Sequence, residues 1–205
     1  MDDIGRTKTN QPKLAADCLI LAAGLSSRMS AWKMMLPYKK GVLLDAAIHN
    51  GLAACHRVIL VAGYRADELI TYYRDLQGVT VLNNLYYARG MLGSIQTGLR
   101  VLTQDYFFIS HGDMPYLEVD LYRTLWSFRH YDVIFPGNPA QPGHPVLLSK
   151  KIVPLIQAAQ PNGSMRQLIL KSEYQHYLGL ADTRIYHDID TLTDYQILLQ
   201  NGARI

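Results

Sequence analysis

The sequence has few of the features that mark secreted or membrane proteins. It contains only two cysteines, Cys18 in an apolar run and Cys55 at the end of a helical pattern. That is a poor disulfide framework, and it predicts two reduced, buried thiols. Residues 1–14 are polar and include no apolar stretch suited to a signal peptide or membrane span. We therefore expect a cytoplasmic protein without membrane contact, with a flexible polar tail (1–14) and a single domain (15–205).

Charge of one sign is not concentrated anywhere in the chain. The 20 basic and 17 acidic residues give a formal net charge of +3 and are scattered along the whole length, without a basic tail. This distribution argues against nucleic acid as a partner and suits a pocket for an anionic small molecule. The sequence also lacks internal repeats and low-complexity segments.

Short apolar runs alternate with amphipathic windows in the first part of the chain. The predicted strands cover residues 17–23, 57–62, 79–83, 106–110 and 132–135, and the predicted helices cover residues 43–55, 66–76, 91–102 and 118–130. This alternation predicts an α/β fold, Rossmann-like and doubly wound, with a mostly parallel sheet and helices on both faces.

The pattern changes after residue 136. We expect a loop over 137–143, a strand over 145–149, short helices over 151–159 and 164–171, strands over 175–180 and 184–187, and a closing helix from Thr191. This part is interpreted as an insertion that completes a substrate pocket.

The first predicted strand leads into a bend of small and polar residues. A backbone that approaches phosphate closely needs residues without bulk, and its exposed N–H groups can then bind anionic oxygens. A guanidinium adds planar, fork-like donors, and a lysine adds a compact charge suited to negative charge developing at phosphorus. The bend has neither the three glycines of the dinucleotide fingerprint nor the end of a Walker loop. We predict a nucleotide-binding loop made of Leu21, Ala22, Ala23, Gly24, Ser26, Ser27, Arg28 and Lys33; the alternative is an ordinary strand-to-helix connection.

Acidic side chains occur at two places that suit a metal site. Asp113 follows the strand predicted over 106–110, at the edge where open α/β sheets bind ligands. Asp188 and Asp190 alternate along an extended segment, so their carboxylates lie on one side of it. Mg²⁺ is usually held by one or two carboxylates together with substrate phosphates and water. The alternatives are a turn cap for Asp113 and a helix N-cap for Asp190 or Thr191.

The run from Leu21 to Met29, with Lys33 and Leu36, resembles the signature of the MobA-like nucleotidyltransferases. Within them the chain is similar to the molybdenum cofactor cytidylyltransferases and the bacterial molybdenum hydroxylase accessory proteins. The likeness covers five separated motifs, from about residue 17 to the closing helix, and implies a fold like that of the nucleotide-diphospho-sugar transferases. Ser30 departs from the family, which usually has glycine there. Ala23 favours CTP, because relatives that use GTP usually carry glycine at that place.

The resemblance also implies roles for residues in four later motifs. Asp113 matches the metal-binding aspartate of a Gly-Asp-x-Pro motif, and Asp190 matches the second aspartate of an Asp-Ile-Asp-Thr motif, which completes the metal site. The segment that lines the base pocket has Gly90, Ser94 and Gly98 at matching places. A purely structural helix is the alternative there, because its leucines and isoleucine have core spacing.

Two further residues are implied to bind the acceptor substrate. His144 lies in a Gly-His-Pro stretch that the family places near the acceptor, and the alternative is a turn stiffened by its prolines. Arg166 is a candidate for the pterin phosphate, although the acidic-glycine sequence common before it among cytidylyltransferases is missing.

Together these implications predict a Mg²⁺-dependent enzyme that transfers CMP from CTP to a molybdopterin-type cofactor and releases pyrophosphate. Arg28, Lys33 and Asp113 would be catalytic, GTP would be the less favoured nucleotide, and a molybdenum hydroxylase apoenzyme is a candidate partner. One alternative is a non-catalytic accessory protein that binds the cofactor; another is a cytidylyl- or uridylyltransferase for a different phosphate acceptor. Histidines near the carboxylates raise a zinc hydrolase as well, but their spacing fits no zinc pattern.

Overall fold

One mixed sheet organises the chain, described here by a computed structural model over residues 11–26, 28–29, 31–169 and 175–202. Its strands are β1 (Leu14–Ala22), β4 (Cys55–Ala62), β5 (Val79–Asn83), β6 (Tyr106–His111), β7 (Val133–Phe135), β8 (Val146–Ser149) and β9 (Gln175–Tyr177), and a separate hairpin pairs β2 (Pro37–Tyr38) with β3 (Gly41–Val42). The strand order is β5-β4-β1-β6-β8-β7-β9, and only β8 runs antiparallel to its neighbours. The predicted fold class is confirmed.

The helices cover both faces of this sheet. They are α1 (Leu43–Ala54), α2 (Ala66–Tyr72), α3 (Met91–Leu99), α4 (Val119–Trp126), α5 (Val153–Gln157), α6 (Met165–Ile169) and α7 (Leu192–Gly202), with short 3-10 helices at Lys33–Met35, Tyr87–Arg89, Lys150–Ile152 and Thr183–Tyr186. None of the described helices is long and apolar enough to cross a membrane.

Strand β1 shows why the sheet is buried on both sides. Cys18 and Ile20 pack into the core under α1, α2 and α4, whereas Leu19 and Leu21 pack into a second core under α3, α5 and α6. Side chains alternate between faces with a period of two, so a strand covered on both faces reads as a continuous apolar run. Both cysteines are free and buried, as predicted.

The amino-terminal edge of the sheet is held by a buried ion pair. The Asp17 carboxylate, fully buried, accepts hydrogen bonds from Arg57 Nε (2.9 Å) and from the backbone N–H groups of Thr103 (2.7 Å) and Gln104 (3.2 Å). A buried carboxylate whose oxygens are all partnered is structural. This edge lies at the opposite end of β1 from the predicted nucleotide loop.

Several element boundaries differ from the predictions. Strand β1 begins at Leu14, three residues before the predicted start and within the predicted tail; residues 1–10 of that tail lie outside the described residues. Helices α2, α3 and α4 end earlier than predicted, each passing into turns. Residues 170–171 of the helix predicted over 164–171 lie outside the described residues.

The strand predicted over 184–187 is wrong, because Thr183–Tyr186 forms a 3-10 helix. Asp182 caps that helix by accepting a hydrogen bond from Arg184 N at 3.0 Å, and it also pairs with the Arg184 guanidinium. The same guanidinium contacts Glu118 at 3.0 Å and Asp120 at 2.7 Å. These side-chain contacts hold the segment in a tight turn. They cannot be predicted from the secondary-structure propensities of the segment alone.

Candidate functional site

A cavity of about 430 Å³ lies at the carboxyl edge of the sheet, where β1 and β6 end. Strands β1 and β6 are parallel neighbours, so the loops that follow them meet at one edge. The lining consists of Leu21, Ala23, Gly24, Leu25, Ser26, Arg28, Lys33, Met34, Tyr87, Ala88, Gly90, Met91, Ser94, His111, Asp113 and Asp190. We refer to this cavity as the loop pocket.

The loop after β1 is folded by its own polar groups. Ser26 has a positive φ of 55°, its carbonyl accepts from Met29 N at 2.9 Å, and its hydroxyl accepts from Lys33 N at 3.2 Å. Gly24 borders the pocket, and a Cβ added there would meet no protein atom within 4 Å. The absence of a side chain at Gly24 therefore leaves space for a ligand. Ser27, predicted to bind nucleotide, and Ser30 lie outside the described residues.

Two predicted catalytic cations and two predicted metal ligands form one cluster. The Lys33 ammonium contacts Asp113 Oδ2 at 2.5 Å and Asp190 Oδ1 at 2.7 Å, and Arg28 Nη2 contacts Asp190 Oδ2 at 2.6 Å. Lys33 is 7% exposed, whereas the Arg28 side chain is 69% exposed. The structure therefore brings together a buried lysine, two carboxylates and a solvent-facing guanidinium at the mouth of the loop pocket.

The pKa shifts in this cluster follow from burial and mutual contact. Burial alone lowers the pKa of Lys33, but the charges and hydrogen bonds of Asp113 and Asp190 raise it above its ordinary value. Burial raises the pKa of Asp190, but the hydrogen bond and charge of Lys33 and the charge of Arg28 lower it overall. Asp188 as a whole residue is exposed, but its carboxyl group is partly buried. This partial burial and the negative charges of Asp190 and Asp113 raise the pKa of Asp188. Lys33 and Asp190 are therefore both charged at neutral pH.

The carboxylates of this cluster suit a hard divalent cation. Asp113 Oδ1 is buried and has no hydrogen-bond partner among the described residues. A buried carboxylate oxygen without a partner is costly, and a cation would satisfy it. Asp113 and Asp190 provide the one or two carboxylates that Mg²⁺ uses when substrate phosphates and water complete its coordination. Among the described residues no group of three or more His, Cys, Asp or Glu could hold a metal ion.

The hydrogen bonds show whether Asp190 or Thr191 caps α7 and whether Asp113 caps a turn. Thr191 precedes α7, and its hydroxyl accepts from Asp194 N at 3.2 Å, while Asp194 Oδ2 accepts from Thr191 N at 2.7 Å. This reciprocal capping box leaves the Asp190 carboxylate directed to Lys33 and Arg28. Asp113 likewise contacts Lys33 rather than capping a turn.

Helix α3 serves both the core and the loop pocket. Gly90, with φ of 124°, begins the helix and borders the pocket together with Ser94, whose hydroxyl accepts from Asn84 Nδ2 at 3.0 Å. Gly98 does not border the pocket, because a Cβ there would lie 2.2 Å from Leu19 Cδ1 in the core. Ala22 is likewise buried within β1 and outside the pocket lining. Ala22 and Gly98 therefore lie in the core, outside the lining of the loop pocket.

The two predicted acceptor-binding residues lie in a neighbouring cavity of about 230 Å³. We refer to it as the apolar pocket, because its lining is mostly hydrophobic: Met91, Ile95, Ile109, His111, Phe135, Pro142, Gly143, His144, Val146, Met165, Arg166 and Ile169. Arg166 Nη2 donates to Pro139 O at 2.8 Å, which holds the guanidinium beside the 137–143 loop. Burial lowers the pKa of His144 to about 3, with a further contribution from His111.

The predicted site residues leave out several side chains that line the loop pocket. Tyr87 lies in the 3-10 helix before α3, and Met91 begins α3. His111, one of the histidines near the carboxylates that raised the zinc alternative, borders both pockets. Its position at the carboxyl end of a predicted strand was a signal that could have identified it.

The fold and this site together are those of a nucleotidyltransferase. Residues 18–177 match the family described as the MobA-like NTP transferase domain, and the chain belongs to that family. It is 44% identical, over 88% of its length and 94% of the relative, to an Escherichia coli (strain K12) protein named molybdenum cofactor cytidylyltransferase. A probable molybdenum cofactor guanylyltransferase from Natranaerobius thermophilus is 28% identical over 58% of each chain.

Solved structures show the same fold. The Mycobacterium tuberculosis H37Rv protein Rv0371c, in a complex with manganese, superposes with a TM-score of 0.71 at 20% identity and covers 90% of this chain and 98% of its own.

Proposed function

We propose that this protein transfers CMP from CTP to the terminal phosphate of a molybdopterin-type cofactor and releases pyrophosphate. The observation that carries the proposal is the contact of one buried ammonium, Lys33, with both Asp113 and Asp190 at the mouth of the loop pocket. Cations and carboxylates in this arrangement can hold a polyphosphate and a divalent metal side by side. The 44% identical relative is a cytidylyltransferase by name.

Different residues of the loop pocket would bind the phosphates and the base of the nucleotide. The open backbone around Gly24 approaches the phosphates, and Lys33 and Arg28 compensate their charge. Ser94 and Tyr87 border the same pocket at the start of α3, on the side that the resemblance assigns to the base. Because Ala23 borders the pocket with a methyl group where, by the resemblance, relatives that use GTP usually carry glycine, we infer a preference for the smaller base of CTP.

The reaction needs no protein nucleophile. An oxygen of the acceptor phosphate attacks the α-phosphorus in line, a phosphoanhydride bond forms, and the bond to the β-phosphate oxygen breaks so that pyrophosphate leaves with the electron pair. Lys33 would stabilise the negative charge on the transferred group, and Asp113 and Asp190 would hold Mg²⁺. When bound, Mg²⁺ supplies Lewis-acid stabilisation of the phosphate oxygens. The manganese complex of Rv0371c concerns a protein of similar fold and agrees with a divalent ion here.

The acceptor would bind in the apolar pocket. A heterocyclic ring suits its hydrophobic lining, and Arg166 supplies a guanidinium for phosphate. The apolar pocket adjoins the loop pocket at Met91 and His111, so an acceptor bound there can present its phosphate to the nucleotide.

The test is direct assay of the full chain. Purified protein is incubated with labelled CTP, Mg²⁺ and molybdopterin, and both pyrophosphate and the cytosine dinucleotide product are measured. We expect both products, weaker turnover with GTP, and a loss of about 10²-fold or more for Asp113→Asn, because the metal loses a charged ligand. Asp75→Asn, on an exposed side chain remote from both pockets, is the matched control.

Two results would contradict the proposal. Molybdopterin binding without pyrophosphate release under any divalent ion would identify a non-catalytic accessory protein. Pyrophosphate release with a sugar or isoprenoid phosphate, but not with molybdopterin, would identify a transferase for a different acceptor.

A further inference from the structure

Among the described residues, the lining shared by the two pockets contains one polar side chain. Met91 and His111 are the two residues that border both the loop pocket and the apolar pocket. Met91 is apolar and belongs to the first turn of α3. His111 is therefore the side chain that can form hydrogen bonds where an acceptor in one pocket would meet a nucleotide in the other.

The backbone of His111 is fixed by the sheet. His111 is the last residue of β6 and pairs with Leu21 of β1. The next residue, Gly112, donates to Leu21 O at 3.0 Å, and the His111 carbonyl accepts from Met114 N at 3.3 Å. A side chain carried on such a rigid element holds its position more accurately than one on a mobile loop.

The imidazole of His111 is not committed to a protein partner. Its Nε2 atom is buried and has no hydrogen-bond partner among the described residues. The ring packs against that of His144, with centroids 4.3 Å apart and an interplanar angle of 45°. Buried polar atoms in native proteins are usually partnered, so an unpartnered nitrogen at a junction of two pockets calls for a ligand explanation.

We propose that His111 is a positioning residue that donates a hydrogen bond to the acceptor's terminal phosphate and orients it toward the α-phosphorus of the nucleotide. This inference rests on the proposed function. His111 and Asp113 both line the loop pocket, so an oxygen held by the imidazole would share that pocket with the carboxylate that would hold the metal. The ring of His144 supports that of His111 from the side of the apolar pocket.

If His111 positions the acceptor, its replacement should weaken the binding of the acceptor and leave the binding of the nucleotide unchanged. His111→Phe keeps a ring of similar size but removes both nitrogens, whereas His111→Gln keeps a donor near the position of Nε2. We expect His111→Phe to raise the KM for molybdopterin by about tenfold or more, as for the loss of a hydrogen bond to a charged group. His111→Gln should recover much of this loss. The affinity for CTP with Mg²⁺, measured by calorimetry without acceptor, should change less than about twofold in either variant, because the nucleotide contacts are retained.

The outcomes separate this inference from the function on which it rests. His130→Phe, on an exposed histidine, controls for the replacement of an imidazole by a phenyl ring. If the wild-type chain transfers CMP but His111→Phe leaves the KM for molybdopterin unchanged, or alters the acceptor and CTP equally, the positioning role is wrong and the proposed function stands. If the wild-type chain forms no dinucleotide, both fall together.

Discussion

At the scale of single residues, Lys33 shows how a buried positive charge can be stabilised in the site before any ligand binds. A buried ammonium is costly without a counter-charge, and Lys33 has two, Asp113 and Asp190. The same two carboxylates would be too close to each other without a cation between them. Lys33 therefore maintains the geometry of the proposed metal ligands and also places a charge where phosphate would bind.

Replacement of Lys33 by methionine should affect both its contact with the two carboxylates and its contact with phosphate. We expect CMP transfer to fall by about 10²- to 10³-fold, because the charge that stabilises the transferred phosphoryl group is lost. The free energy of unfolding should fall by roughly 2 kcal/mol, since two partly screened carboxylates lose their shared cation. Added MgCl₂ should restore more stability to the variant than to the wild type.

Urea unfolding with and without MgCl₂, together with the transfer assay, tests this prediction. Lys151→Met is the matched control, because Lys151 is 81% exposed and makes only a 3.8 Å contact with Asp132. A variant that keeps normal turnover, or that gains nothing from Mg²⁺, would show that Lys33 does not hold the carboxylates.

At the scale of elements, the sequence predicts the buried strands well and the exposed segments less well. Strand β5, a partly exposed edge strand, matches its prediction at both ends. Strand β6 differs by one residue, because a continuous apolar run bounded by polar residues marks a strand covered on both faces. The 3-10 helix at Thr183–Tyr186 was missed because long-range contacts of Arg184 decide its conformation. The direction of β8 is likewise set by its position between β6 and β7 in the sheet, not by its own residues.

The N-terminal cap of α7 lies directly after Asp190, a residue of the candidate site. Thr191 and Asp194 form the capping box that fixes the residue after Asp190. Thr191→Val keeps the side-chain shape but removes the hydroxyl, and should cost about 1 kcal/mol of stability. Because Asp190 then loses its fixed approach to Lys33, the Mg²⁺ concentration for half-maximal activity should rise about tenfold, the lower end of the effect of removing supporting contacts of metal ligands.

A titration of activity with Mg²⁺ at saturating CTP and acceptor measures this effect. Thr193→Val is the control, because Thr193 is exposed in the same helical turn. Equal Mg²⁺ dependence in the two variants would mean that the cap stabilises α7 without positioning Asp190.

At the scale of the whole molecule, the site depends on contacts that sequence spacing does not give. Lys33 and Asp190 are 157 positions apart, and they meet because the loop after β1 and the segment before α7 both reach the carboxyl edge of the sheet. The loop after β1 and the position of Asp113 could be predicted from the end of a buried strand. The lysine bridge, the shared wall at His111 and the core role of Gly98 could not, because they follow from how distant elements pack.

The half-buried histidine of the apolar pocket, His144, makes the stability of the entire fold sensitive to acid. The pKa of His144 is lowered to about 3 by burial, whereas a histidine in the unfolded chain takes up its proton near pH 6.5. Between these values the unfolded state binds more protons, so the free energy of unfolding falls as the pH falls, by at most about 1.4 kcal/mol per pH unit for this group. We expect urea unfolding of His144→Gln to show a shallower loss of stability between pH 6.5 and 4.5 than the wild type. His130→Gln, on an exposed side chain, should keep the wild-type slope; if His144→Gln keeps it too, the imidazole of His144 is not held neutral by the fold.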